Sequence, residues 1–123
     1  MSGDFIVAPR GRVQPPRMLS WMPSRRLLLR VVDFIAGEVA DDKLSEELRH
    51  FTEGEYGYFS LSAYTSKQAS KQAEEIMAVI RESLLPAVAE WYPGDDEVHD
   101  FVAELVDLVK QVQALEPIGQ NDR

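Results

Sequence analysis

Few residues of this 123-residue chain have types and spacings that suit catalysis or metal binding. Its two histidines, His50 and His99, lack the His-x-x-x-His or Glu-x-x-His spacing that assembles a metal site on helices. The chain has no cysteine, which removes thiolate nucleophiles, thiolate ligands and disulfides together. The serines and threonines between Thr52 and Ser70 lack the Gly-x-Ser-x-Gly and Ser-x-x-Lys spacings of a nucleophile, and no glycine-rich phosphate loop is present. The sequence therefore predicts a protein that is not an enzyme and holds no metal or cofactor.

Charge is the strongest chemical signal in the sequence, because the formal net charge of -8 is divided unevenly. Residues 1–30 contain six arginines and one aspartate, whereas residues 31–123 contain seven Lys or Arg and twenty Asp or Glu. An acidic body repels nucleic acid and anionic membranes and attracts basic proteins at low ionic strength. The composition thus favours a basic protein as the partner and disfavours nucleic acid.

The acidic residues concentrate in two places that could form a protein-binding surface. Between Arg81 and Lys110 there are eight acids and no Lys or Arg, which exceeds what solubility requires. Near residue 55, two acids adjoin tyrosines, which supply rigid amphipathic contact area at interfaces. The alternatives are a solvated helix face and aromatic packing beneath a loop. The predicted partner-binding residues are Glu53, Glu55, Tyr56, Tyr58, Asp95, Asp96, Asp100, Glu104 and Asp107.

Residues 1–23 are predicted to form an extended basic arm, because repeated prolines prevent a long helix. Phe5–Ala8 could be a strand but has no evident pairing partner. The candidate contact residues of the arm are Arg10, Arg12, Arg17 and Trp21.

Three roles for the arm remain open. It could fold back on the acidic helices with Trp21 and the methionines buried, dock on a second copy of the chain, or bind nucleic acid through phosphate contacts and stacking. Folding back is favoured, self-association comes next, and nucleic acid is disfavoured by the acidic body.

The elements that would position these residues are predicted to be helices within a domain of residues 24–116, followed by a frayed tail at 117–123. Ser24 is the expected N-cap of the first helix, and Asp41 or Asp42 that of the second, so that the two form a helical hairpin. Asp95 is the expected N-cap of the last helix.

The middle of the chain is predicted to contain a loop with an extended part at 56–64 and then a third helix. The tandem repeat SKQASKQA at 66–73 has a period of four, which suits a helix start. Pro86 is expected to kink or break that helix. The fold class is therefore all-α, a compact bundle of four or five helices with the extended N-terminal arm.

No apolar run approaches the roughly 20 residues that a membrane span needs, and the N-terminus lacks the pattern of a secretory signal. The sequence therefore predicts a cytoplasmic protein.

The run LLLRVVDFIAGEVADDKLSEELRHF, residues 27–51, resembles the opening helical pair of small bacterial toxin-immunity proteins of the colicin and pyocin type. The shared pattern is an apolar helix, a Gly-Glu pair at Gly37 and Glu38, a capped second helix and then Phe51. This resemblance implies a small, acidic, helical, cytoplasmic protein that presents carboxylates and tyrosines to a basic nuclease toxin. The Arg-rich arm departs from that pattern.

The expected function is therefore that of a protein-binding inhibitor of immunity type, which neutralises a basic, nuclease-like toxin through its acidic face. The alternative is a structural or assembly subunit whose arm mediates self-association.

Overall fold

The structure is a computed structural model that describes residues 3–6, 20–54, 58–61 and 67–114. It confirms the predicted helical class. In the described ranges the helices are α1 (Arg25–Glu38), α2 (Asp42–Glu53), α3 (Lys67–Val79), α4 (Leu85–Trp91) and α5 (Asp96–Ala114), with a π-helical segment (Ile80–Leu84) between α3 and α4.

Side-chain caps begin three of these helices where the sequence predicts them. The Ser24 Oγ accepts from the backbone N–H of Leu27 at 3.2 Å. The Asp41 Oδ1 accepts from the backbone N–H groups of Lys43 and Leu44, and the Asp95 Oδ1 accepts from that of Val98. Each cap satisfies backbone donors that have no partner within the helix.

Helices α1 and α2 form the predicted hairpin, and α3 fastens its turn. The Ser45 Oγ–H donates to the Ala36 carbonyl at 2.6 Å across the hairpin. The Glu75 Oε2 accepts from the backbone N–H of Ala40 at 2.7 Å, and the Gln72 amide donates to Asp41 at 3.4 Å. Helix α3, which lies further along the chain, is thereby joined to the turn between α1 and α2.

Pro86 neither ends the third helix nor leaves it regular. The π-helical segment precedes it, and α4 starts at Leu85, which places Pro86 in the first turn of α4. A proline lacks an N–H and crowds the carbonyl four residues earlier. The wider π turn relieves both effects locally, since such turns are inserted where the regular hydrogen-bond ladder is interrupted.

A small sheet that the sequence did not predict joins the N-terminus to the helices. Strands β1 (Asp4–Ile6), β2 (Ser20–Trp21) and β3 (Tyr58–Ser60) lie in the order β2-β1-β3. Phe5 pairs antiparallel with Trp21 and parallel with Phe59. The prediction that Phe5–Ala8 has no pairing partner is therefore wrong for Phe5 and Ile6, whereas the extended part expected within 56–64 is confirmed by β3.

Both described ends of the arm pack on the helical domain. Phe5 is 0% exposed and Trp21 is 2% exposed, in the same apolar core as α1, α3 and α5. Gly3 donates its N–H to the Pro23 carbonyl at 2.6 Å, and a Cβ at Gly3 would come within 2.8 Å of Leu28 Cδ2. A larger residue at Gly3 would therefore require the buried Leu28 side chain to shift, so glycine favours the close approach of the chain before β1 to α1.

Aromatic contacts connect the remaining elements to this core. Phe59 lies edge-on to both Phe5 and Phe51, with ring centroids 5.0 and 5.2 Å apart. On another side of α1, Trp91 lies edge-on to Phe34 and beneath the guanidinium of Arg30 at 4.6 Å. These contacts fix β3 and α4 relative to the α1–α2 hairpin.

Candidate acidic interface

The acidic face predicted for the last helix is a row of carboxylates along α5. Asp96, Asp100, Glu104 and Asp107 follow spacings of four, four and three residues, which place them on one side of a helix. All four residues are exposed. The opposite side of α5 is buried through Val102, Leu105, Val106, Val109 and Val112. We call the four exposed acids the acidic row.

Asp95 has a different role from the acidic row, although the sequence placed it in the same set. Its carboxylate accepts from Val98 and caps α5, so it is engaged in the helix start. Asp96 and the exposed Glu97 occupy the first turn, where negative charge also favours the helix dipole. The acids with no such local role are Asp100, Glu104 and Asp107.

No ion pair joins the acidic row to a lysine or arginine in the part of the chain that the structure describes. The described ion pairs lie elsewhere: Arg49 with Asp33 at 3.9 Å, and His50 with Glu53 at 3.7 Å. Arg81, the base that precedes the acid-rich stretch, donates to Gln113. Within the described ranges, the charge of the row therefore faces solvent without a paired cation.

An apolar groove runs beside the acidic row. Its volume is about 470 Å³. One wall comes from α5 and the other from β2 and the residue that follows it. The lining residues are Trp21, Met22, Phe101, Glu104, Asp107, Leu108 and Gln111. Two acids of the row thus form part of the groove, and three residues singled out in the sequence, Trp21, Glu104 and Asp107, come together there.

Trp21 fixes the wall opposite α5. Its Nε1–H donates to the Phe101 carbonyl at 3.0 Å, and its ring lies against the Phe101 ring with centroids 5.1 Å apart. The next residue, Met22, is 67% exposed. The prediction that the methionines of the arm are buried is wrong for Met22, because burial of Trp21 turns its neighbour toward the groove.

Sequence reasoning missed the apolar part of this site, namely Met22, Phe101 and Leu108, and also the polar Gln111. Phe101 and Leu108 are seven residues apart at the margin of the apolar stripe of α5 and are half-buried. That spacing was available in the sequence, but it is also the spacing of an ordinary core face. The position of Met22 depends on a contact across eighty residues, which no local pattern reveals.

Among the described residues, Glu53 and Tyr58 were also predicted to bind a partner, and neither lines this groove. Glu53 is exposed at the end of α2, where its carboxylate lies near His50 Nδ1. Tyr58 belongs to β3, which lies on the opposite side of β1 from β2. Glu55, Tyr56, Arg10, Arg12 and Arg17 lie outside the described residues.

The two described histidines lie apart, each with its own neighbour. His50 is exposed and lies near Glu53. His99 Nε2 lies 3.2 Å from the Tyr92 carbonyl. In the ranges that the structure covers, no three His, Asp or Glu side chains group as a metal site. No helix in those ranges is both long and apolar enough to cross a membrane.

No protein-family model, curated protein or solved structure matches this chain.

Proposed function

We propose that this protein is a non-enzymatic inhibitor that captures a basic protein through the acidic row of α5. The observation that carries the proposal is the row itself: four exposed carboxylates on one helix face, with no cation paired to them among the described residues. Binding a partner that brings lysines or arginines to this face would supply the missing counter-charges.

The physical advantage of such a row lies mainly in the rate of association. Clustered charge of one sign attracts an oppositely charged partner over roughly 8 Å at physiological salt and raises the association rate. Exposed charge pairs at the rim of an interface add little affinity by themselves. The apolar groove beside the row supplies the surface that can be desolvated to hold the partner.

The more specific form of the proposal is an immunity-type protein of the bacterial cytoplasm whose partner is a nuclease-like toxin. It rests on the resemblance of residues 27–51 to the immunity proteins. A nuclease binds a phosphate backbone with lysines and arginines, so its functional surface is basic. An acidic row that covers such a surface would block access of the nucleic acid. Glu53, Glu55, Tyr56 and Tyr58 stay predicted contacts in this form.

The test is affinity capture with immobilised protein and a variant whose charge is reversed on the row, Asp100→Lys with Glu104→Lys. The wild type is expected to retain a basic protein from a lysate of the source cells, and the variant is expected to lose it. Glu82→Lys with Glu90→Lys is the matched control, because both residues are exposed acids outside α5. Equal capture by wild type and the α5 variant, or capture of acidic proteins only, would contradict the proposal.

A further inference from the structure

The groove beside the acidic row is elongated along α5. Its α5 wall includes Phe101, Glu104, Leu108 and Gln111, with spacings of three, four and three residues, and Asp107 lies beside them. At a rise of 1.5 Å per residue, this wall extends about 15 Å along the helix. Across the groove, Trp21 is held in place by its hydrogen bond to Phe101, so the wall is formed before a partner arrives.

We propose that the occupant of this groove is one amphipathic, basic helix of the partner protein. Its apolar side chains would lie between Met22 and Leu108, and its lysines or arginines would face Asp100, Glu104 and Asp107. This inference rests on the proposed function and adds to it the kind of segment that is recognised.

The arrangement of polar and apolar groups favours a peptide segment as the occupant. The described part of the groove has a floor of aromatic and aliphatic side chains and acids along one rim. Nucleic acid and anionic membranes would meet repulsion from that rim. An apolar anchor surrounded by charges at the edge is the usual organisation of a protein hot spot.

A helix fits the spacing better than an extended strand does. On a partner helix, residues i and i+7 are about 10.5 Å apart, the same separation as Phe101 and Leu108 on α5. Basic residues at i, i+4 and i+7 would match Asp100, Glu104 and Asp107, which have this spacing. A strand would have to pair with β2, which spans only Ser20–Trp21 and offers few backbone hydrogen bonds.

Met22 provides an independent reason to expect an apolar occupant. It is the large apolar side chain that stands exposed among the described residues. Methionine is flexible and polarisable and adapts to varied apolar surfaces, which suits a docking groove.

The proposal is tested with labelled 18-residue peptides whose helicity is enforced by side-chain cross-links. The first peptide carries Leu or Phe at i, i+3 and i+7 and Lys at positions flanking that stripe. The second has the same charges with every anchor replaced by Ala. The third has the composition of the first, with the anchors scattered around the helix. The fourth has the first peptide's residues interrupted by prolines, so that it stays extended. Fluorescence anisotropy reports binding.

We expect the first peptide to bind and the second and third to bind about 30-fold more weakly, as hot-spot anchors do. Met22→Ser should weaken binding of the first peptide about tenfold. The thermal unfolding of the protein should be unchanged in this variant, because the Met22 side chain is exposed. Glu104→Gln with Asp107→Asn should weaken it at low salt, whereas Glu82→Gln with Glu90→Gln, which removes the same charge elsewhere, should not.

The outcomes separate this inference from the proposed function. If anchored and anchorless peptides bind equally and Met22→Ser has no effect, but the α5 acid variant weakens both, the groove inference is overturned and the acidic row stands. Preferential binding of the extended peptide overturns the helical occupant. If no peptide binds, or binding is the same in the α5 acid variant, both proposals fail.

Discussion

At the scale of single residues, Trp21 links the sheet, α5 and the groove. Trp21→Phe keeps most of the buried ring but removes the donor to the Phe101 carbonyl. We expect the free energy of unfolding to fall by about 0.5–1.5 kcal/mol, the usual net contribution of one hydrogen bond, because the Phe101 carbonyl keeps its backbone partner within α5. Urea denaturation at constant pH measures this change.

The neighbouring Met22 is the control for that prediction. Because it is 67% exposed, Met22→Ser should change the free energy of unfolding by no more than about 0.5 kcal/mol. If Trp21→Phe changed the free energy of unfolding as little as Met22→Ser does, Trp21 would not be packed against α5 of its own chain. The groove would then lack its second wall.

Asp41 supplies a prediction about pH. Its pKa is lowered from the ordinary 3.8, chiefly by the hydrogen bond from the Leu44 N–H and next by that from Gln72. A depressed folded-state pKa means that the carboxylate stabilises the protein above pH 3.8, and that this contribution disappears as the pH falls through the lower folded value.

Asp41→Asn keeps a good N-cap but cannot ionise. The stability advantage of the wild type over this variant should therefore be constant above about pH 5 and shrink on acidification below pH 3.8. Thermal unfolding of both proteins across this range measures it. A stability difference between the two proteins that does not vary with pH would contradict the assigned role of the carboxylate.

The residue scale is also where sequence reasoning succeeded best. Ser24, either Asp41 or Asp42, and Asp95 were predicted as N-caps, and Ser24, Asp41 and Asp95 each accept a backbone N–H at a helix start. These predictions work because a cap and its partners lie within three residues of one another. The exposure of Met22 depends on packing between residues distant in the chain, and the prediction that it is buried was wrong.

At the scale of elements, the π-helical segment before Pro86 leads to a prediction about the stability effect of replacing that proline. A proline in the interior of a regular helix costs about 3 kcal/mol. Because the π turn has already relieved the clash, Pro86→Ala should stabilise the protein by clearly less than that, about 1 kcal/mol or below. Urea denaturation gives the value. A gain in stability of about 3 kcal/mol would show that the π turn does not relieve the clash at Pro86.

The sheet shows why elements can escape prediction from sequence. Strands of two or three residues are too short to establish an alternating pattern. Phe5 finds its partner Phe59 more than fifty residues away in the chain. Helices α1, α2 and α5 could be predicted from their N-caps, which are local signals, whereas the groove depends on the packing of β2 against α5.

At the scale of the whole molecule, the position of the arm decides between packing in its own chain and assembly with another. Deleting residues 1–22 removes Phe5 and Trp21, both fully or almost fully buried. Loss of even one buried aromatic costs about 3–5 kcal/mol, a large part of the 5–15 kcal/mol that stabilise a typical domain. We expect the truncated protein to be unfolded by circular dichroism.

A triple variant, Arg10→Gln with Arg12→Gln and Arg17→Gln, is the companion of the deletion. It removes charge from the arm and keeps both buried aromatics, so we expect it to fold. A folded deletion protein that has lost an oligomeric state would instead support the assembly alternative.

The most direct test of the central claim is the rate at which the captured basic protein associates with this one. Stopped-flow measurement at about 0.05 M and 0.5 M salt should show a rate that falls at least tenfold with added salt, because screening weakens attraction by the acidic row. Asp100→Lys with Glu104→Lys should associate slowly at both salt concentrations. Equal rates for wild type and variant, unaffected by salt, would contradict the role assigned to α5.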